Sequence, residues 1–202
     1  MRAPSRADRV SLRRRQLGEV TLRLVRERGF DELSVNELAA RASISVGGLY
    51  RYIKTKSDLL VFICDEINRG LPDRMNQAAA STRGIAPKLA AAYSVYWETC
   101  WDNAFAILLA YREWQALPPD ARKRYTAQEQ QIAELLRDLI RAGVVAEEFA
   151  AVDERLLAHD MIMLAQMKAV KGWAFDGYQP AAVRAEHLAL IFARLNVAAP
   201  GG

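Results

Sequence analysis

The sequence predicts an all-α fold, a three-helix N-terminal domain followed by a larger helical one, about nine helices in all. Apolar residues recur at the three- and four-residue spacing of helices along nearly the whole chain, and residues 57–202 contain no strand-like alternation of any length. The charge distribution divides the chain. Residues 1–56 hold 13 Lys and Arg against 6 Asp and Glu, a balance of +7, whereas residues 57–202 hold 15 against 18. A basic quarter on a slightly acidic remainder points to one polyanion-binding module joined to a domain of another kind. With 202 residues, 51% of them hydrophobic, the chain can build a core in each. The expected division is a disordered basic arm over 1–9, a basic three-helix domain over 10–56, and a larger helical domain over 57–202.

From about residue 10, Leu17, Val20, Leu24 and Val25 share one helix face with arginines opposite, and Gly29 supplies the C-terminal glycine. The second helix opens on "SVNELAARA". Ser34 and Glu37 have the spacing of a capping box, and Val35, Leu38, Ala39 and Ala42 form the inner stripe. After a turn of three residues comes a short third helix with Ser45 as N-cap and Val46, Leu49 and Ile53 facing inward. Thr55 and Asp58 form the capping box of the fourth helix.

The third helix contains adjacent glycines, Gly47 and Gly48, each costing about 1 kcal/mol against alanine in a helix interior. Close approach by another molecule explains that cost. If the helix is the second of a helix-turn-helix, it lies in a DNA major groove with its N-terminal residues at base edges, and small residues let the backbone come near. Tyr50 and Tyr52 can reach phosphates through their hydroxyls, and Lys56 stands at the positive end of the next helix.

The segment "RRRQLGEVTLRLVRERGFDELSVNELAARASISVGGLYRYIKTKSDLL" resembles the DNA-binding domain of TetR/AcrR-type transcriptional regulators over about 50 residues and in order. The glycine and phenylalanine at 29 and 30, the "SVNELA" and "SVGGLYRYI" helices, and the lysine before Asp58 and Leu59 fall where that pattern has them. Ser43 stands where a glycine is usual in the turn, Ile53 where phenylalanine is usual, and Ser57 where glutamate is common. The resemblance implies that Ser45, Gly47 and Gly48 meet the groove with Arg51 beside them, while Tyr50, Tyr52 and Lys56 hold the DNA backbone. Ser34 and Val46 complete the expected DNA-facing set. The arginines of "MRAPSRADR" either enter a minor groove or lie near phosphate, or belong to a solvated basic tail, and Arg13, Arg14 and Arg15 read as a solvated face.

Further helices follow in the larger domain. One holds Leu60, Ile63 and Ile67 until Gly70 and Pro72 end or kink it, and another after Pro87 holds Tyr93, Trp97, Cys100 and Trp101. "AFAILLAYREWQAL" is apolar on nearly every side, as in a buried central helix, and a long amphipathic helix then runs from "PPDARKRY" to Gly143. Asp153 caps the next helix, and residues 181–195 form the last, with Leu188, Ile191 and Leu195 inward.

Catalysis has no residues to stand on. His159 and His187 fall in different helices without a second ligand at metal spacing, and neither a phosphate-cradling glycine loop nor a nucleophile elbow occurs. No enzyme activity, metal or cofactor is therefore expected. Cys64 and Cys100 sit in apolar helical patterns, which reads as two reduced thiols in a cytoplasmic protein, and no window suits a signal peptide or a membrane span. Ligand binding is better supported. Trp97, Trp101, Phe105, Leu108, Tyr111, Arg112, Met161, Met163, Met167 and Trp173 are the candidate effector-binding residues. Glu98, Arg112 and Glu113 lie within otherwise apolar sequence and need partners, for Arg112 either a core carboxylate or a ligand's anion.

The stretches "ILLAYREWQALPPDARKRYTAQEQQIAELLRDLI", "FAAVDERLLAHDMI" and "KGWAF" look like the C-terminal domains of family members that respond to acyl-CoA thioesters. The expected partners are thus a double-stranded operator, a small hydrophobic effector with acyl-CoA as the candidate class, and a second copy of the chain joined through the last two helices. The competing readings are an architectural DNA-binding protein without effector and a helical enzyme that borrows the helix-turn-helix shape.

Overall fold

The computed structural model describes residues 6–30 and 32–200, with the side chains of residues 6–9 and of Lys56 outside that description. Among the described residues there are ten α-helices, two short 3-10 turns and no strand. They are α1 (Arg6–Arg28), α2 (Val35–Arg41), α3 (Val46–Leu49), α4 (Lys56–Ile67), α5 (Leu71–Ala80), α6 (Ile85–Asp102), α7 (Ala104–Arg112), α8 (Pro119–Val145), α9 (Glu154–Lys171) and α10 (Pro180–Arg194). Gly70, at φ +57°, takes the left-handed conformation that ends α4, as expected, and α5 follows as a separate helix.

Two compact units form, and their border differs from the expected one at 56/57. The first comprises residues 1–69 and 105–124, and the second residues 70–104 and 125–202. Helix α4 belongs with α1–α3 because α1 packs along it, and the two backbones come close at Gly18, where an added Cβ would stand 3.0 Å from the Phe62 carbonyl oxygen. That close approach had no signal beyond a glycine inside a helix. The first core gathers Leu17, Leu24, Leu38, Leu49, Leu60 and Ile63, each at most 2% exposed. Within this unit Arg124 bonds Asp65 at 3.1 Å, tying the first turns of α8 to α4.

In the second unit α5 packs on α6, α6 on α9, and α10 on both α6 and α9. Tyr93, Trp97, Leu89, Met161 and Phe192 fill its centre. Two sequence expectations give way here. Gly143 does not end α8, which runs to Val145; it lies under the Phe149 ring, where a Cβ would sit 2.1 Å from a ring carbon. The helix then ends through Glu147 at φ +58°, with the backbone N–H groups of Glu148 and Phe149 both donating to the Gly143 carbonyl. The run at 104–117 is likewise not one buried helix. It stops at Arg112, continues as a 3-10 turn, and exposes Phe105 and Tyr111 by 49% each.

The first helix begins at Arg6, inside the stretch expected to be an arm, while residues 1–5 lie outside the described residues. Cys64 and Cys100 are buried free thiols, and burial pushes each up to about 12. No helix among the described residues is long and apolar enough to cross a membrane.

Candidate functional site

The turn between α2 and α3 orients the third helix. Ser43 adopts φ +52°, the left-handed conformation that its place in the turn demands, and the Ile44 N–H donates to the Ala39 carbonyl at 3.0 Å to close it. Ser45 then caps α3, its hydroxyl accepting from the Gly48 N–H at 3.0 Å. Leu49 and Ile53 go into the core at 1% and 5% exposure. Val46 does not: it is 36% exposed and joins the outer face rather than the inner stripe.

That outer face is open. Ser45, Gly47, Tyr50 and Arg51 are exposed, and Gly48 and Tyr52 are half-buried. The two glycines differ. A Cβ on Gly48 would approach the Ser45 hydroxyl to 3.1 Å and crowd the cap, whereas one on Gly47 would meet nothing within 4 Å. Nothing inside the described chain requires a glycine at 47.

The Ser34–Glu37 capping box does not form. Ser34 has the extended backbone of an N-cap (ψ 133°) but makes no side-chain cap bond. Glu37 turns instead to Arg28 at 3.3 Å and Arg41 at 3.8 Å, so the exposed Ser34 hydroxyl is left for another partner. The second box does form. Thr55 accepts from the Asp58 N–H at 3.2 Å, and the Asp58 carboxylate accepts from Lys54 N–H at 2.8 Å and Thr55 N–H at 3.0 Å. This carboxylate occupies part of the positive helix end expected to take phosphate. The side chain of Lys56 itself lies outside the described residues. Arg14 and Arg15 are exposed, as expected of a solvated face, and Arg13 is half-buried: Arg13 donates to the Ala42 carbonyl at 3.4 Å, Arg14 lies 5.1 Å from the Phe62 ring centre, and Arg15 pairs with Glu19.

The candidate effector residues are divided between the two units. Trp97, Trp101 and Met161 are buried in the second, and Met167, on α9 with Met161, is half-buried. The two indoles stack at 4.7 Å, Lys168 Nζ stands 4.1 Å over the Trp101 ring, and Trp97 Nε1–H donates to His187 Nδ1 at 3.0 Å. Burial lowers the His187 pKa from its ordinary value. Met163 and Trp173 are exposed by 53% and 73%, so they do not line this core.

Phe105, Leu108, Tyr111 and Arg112 belong to the first unit. The expected buried charges are also corrected. Glu98 is 55% exposed and bonds Arg184, and Arg112 is exposed, with no carboxylate in ion-pair range among the described residues.

Sequence reasoning missed two atoms in the second unit, the Tyr93 hydroxyl and Gln128 Oε1, both buried without a hydrogen-bond partner. Beside Tyr93 on α6, Tyr96 accepts from Gln166 Nε2 at 2.7 Å. No pattern of residue types separates a satisfied tyrosine from an orphaned one. No group of metal-ligating side chains occurs among the described residues.

Comparison with known proteins matches both parts of the chain. Residues 18–61 fit the model described as bacterial regulatory proteins, tetR family, and residues 82–195 fit the tetracyclin repressor-like C-terminal domain, which alone covers over half of the chain. The HTH-type transcriptional regulator HbdR of Aromatoleum sp. (strain CIB) is 25% identical over 166 residues, 82% of this chain and 72% of that protein. A TetR/AcrR-family regulator from Thermobifida fusca shares the fold at a TM-score of 0.75 and 23% identity, covering 91% of this chain and 97% of its own. FadR of Bacillus subtilis, solved in complex with stearoyl-CoA, shares it at 0.70 and 18%, covering 89% and 97%.

Proposed function

The chain belongs to the TetR/AcrR family of transcriptional regulators, which are not enzymes, and on that premise we propose a homodimeric repressor that a hydrophobic effector releases from a palindromic operator. The observation that carries the reading is the bare backbone at Gly47, exposed, without an internal neighbour, and flanked by Ser45, Arg51 and two tyrosines. A helix that gives up stability there gains approach to a duplex. Ser45, Gly47 and Gly48 lie at base edges in this reading, and the exposed Val46 offers methyl groups to thymine. Arg51 can take two acceptors of a guanine, while Ser34, Tyr50, Tyr52 and Lys56 hold phosphates and fix the register.

A single short helix reads few bases, and a two-fold pair doubles the contacts. Helix α9 is apolar on two sides. Leu157, Met161 and Ile162 are buried, while Leu156, Met163 and Val170 recur every seven residues at 61%, 53% and 53% exposure. On α10, Leu190 is 59% exposed. Such a stripe suits the seam of a helical bundle with a second copy.

For the effector, the unpartnered Tyr93 hydroxyl supports a ligand inside the second unit, because a buried polar group left unsatisfied costs about 1–3 kcal/mol and a ligand carbonyl would accept from it. Trp97, Trp101, Met161 and Met167 supply apolar surface for an acyl chain, and the fold shared with the stearoyl-CoA-bound FadR makes a fatty acyl-CoA the first candidate. The ligand acts through its different affinities for the DNA-competent and DNA-incompetent states.

Selection of bound duplexes from random DNA tests the reading. Palindromes with half-sites one turn, about 34 Å, apart are expected, and equal binding of unrelated duplexes would contradict it. Titrating the selected complex with stearoyl-CoA should weaken binding about 5–150-fold; unchanged affinity at saturation removes the acyl-CoA effector from the reading.

A further inference from the structure

The unit that holds α3 contains a cavity of about 190 Å³ lined by Phe30, Ser57, Leu60, Phe105, Leu109, Arg112 and Glu113. All seven belong to that unit, so the site is separate from the Tyr93 and Trp97 region. We propose that this cavity binds a short apolar carboxylate, held by Arg112, and that its occupancy alters DNA affinity.

Size and lining set the class of ligand. A cavity of about 150 Å³ takes benzene, so this one suits a molecule of roughly ten non-hydrogen atoms and not a long acyl chain or a nucleotide. Phe30, Leu60 and Leu109 are buried at 6%, 1% and 7% exposure and give apolar lining, to which the 49%-exposed Phe105 adds a further ring. Charge selects the head group. Many arginines here already have carboxylates, among them Arg15, Arg28, Arg69, Arg124 and Arg141. Arg112 has none among the described residues, although it lines the cavity. A guanidinium binds a carboxylate through two parallel N–H bonds, and the Ser57 hydroxyl can donate a further one. Among the described lining residues Glu113 is the acidic one, and it gives the proposal a sign to be tested.

The lining also explains why occupancy would be felt at the DNA. Phe30 directly follows Gly29, whose N–H closes α1 on the Val25 carbonyl at 2.9 Å, and Ser57 lies inside the Thr55–Asp58 capping box that starts α4. These are the two helices that flank α2 and α3 in the chain. Any factor by which the ligand changes operator affinity must equal the factor by which operator changes ligand affinity.

Calorimetry on the full chain with phenylacetate, hexanoate and hexylamine tests the site. Saturable binding of phenylacetate or hexanoate is expected, with no binding of the amine. Arg112→Gln should weaken the carboxylate about tenfold or more, and Glu113→Gln should tighten it, while both variants keep the wild-type melting temperature because neither side chain is buried. Saturating carboxylate should shift the affinity for the selected operator, with the reciprocal shift in carboxylate affinity for the DNA complex. Absence of saturable carboxylate binding, equal affinity in Arg112→Gln, or amine binding that is lost in Glu113→Gln overturns the proposal. None of these outcomes depends on the response to stearoyl-CoA, which is read on the other unit.

Discussion

Ser43, in the turn between α2 and α3, and Gly47, in α3, carry opposite conformational debts. Gly47 adds backbone freedom that nothing inside the molecule uses, because a Cβ there would meet open space. Gly47→Ala is therefore expected to raise stability by up to about 1 kcal/mol while weakening operator binding at least tenfold. Chemical denaturation and fluorescence anisotropy measure the two effects on the same samples, and normal operator binding by the variant would remove the close-approach argument. Ser43 is the reverse case, a residue with a side chain held at φ +52°. Ser43→Gly should stabilise the protein by about 0.5–1 kcal/mol, read as a higher denaturation midpoint with an unchanged slope. A lower midpoint would mean that the seryl hydroxyl does more in the turn than its geometry indicates.

At the scale of elements, α6 and α10 are joined by the Glu98–Arg184 pair and by a buried polar bond in an aromatic setting. Trp97 donates to His187 Nδ1, and Phe175 meets both the Trp101 ring and the imidazole edge-on. His187 accepts only while neutral, and burial lowers its pKa, so the unfolded chain binds the proton more readily. Stability is accordingly full above the ordinary imidazole value of about 6.5 and falls as pH drops below it, until the folded-state pKa is reached. Thermal unfolding between pH 5 and 7.5 should show that slope, and His187→Gln should flatten it; an identical slope in the variant would place the titration elsewhere. How far such elements are legible in sequence varies with the cause. The Thr55 and Asp153 caps were readable because each depends on residues three positions apart. The Ser34 box failed although its spacing was right, since Glu37 found Arg28, nine residues away, and a local rule cannot weigh that competitor. Gly143 was misread for the same kind of reason. A glycine near a helix end suggests a stop, but the Phe149 ring folded over it is a tertiary fact.

For the whole molecule, the division into a basic reader and a helical partner domain was visible in charge and periodicity, yet the border was not. Segment 105–124 rejoins the first unit across a gap of 35 residues, and no composition change marks it. The effector set was blurred accordingly, because aromatic and methionine residues at helical spacing look alike whether they fill a core, as Trp97 does, or face outward, as Met163 does. That outward stripe on α9 yields a prediction about assembly. Met163→Glu should leave the helical content intact and shift the sedimenting species from dimer to monomer, with loss of palindrome binding. A dimer of unchanged strength would move the interface off this helix. The two thiols bear on handling in the same molecule. Burial pushes both thiols well above their ordinary range, so Cys64 and Cys100 are expected to resist maleimides and mild oxidants while the fold is intact. A fluorophore cysteine placed on the outer side of α9 could then be labelled selectively in the natural background, and subunit exchange followed by energy transfer.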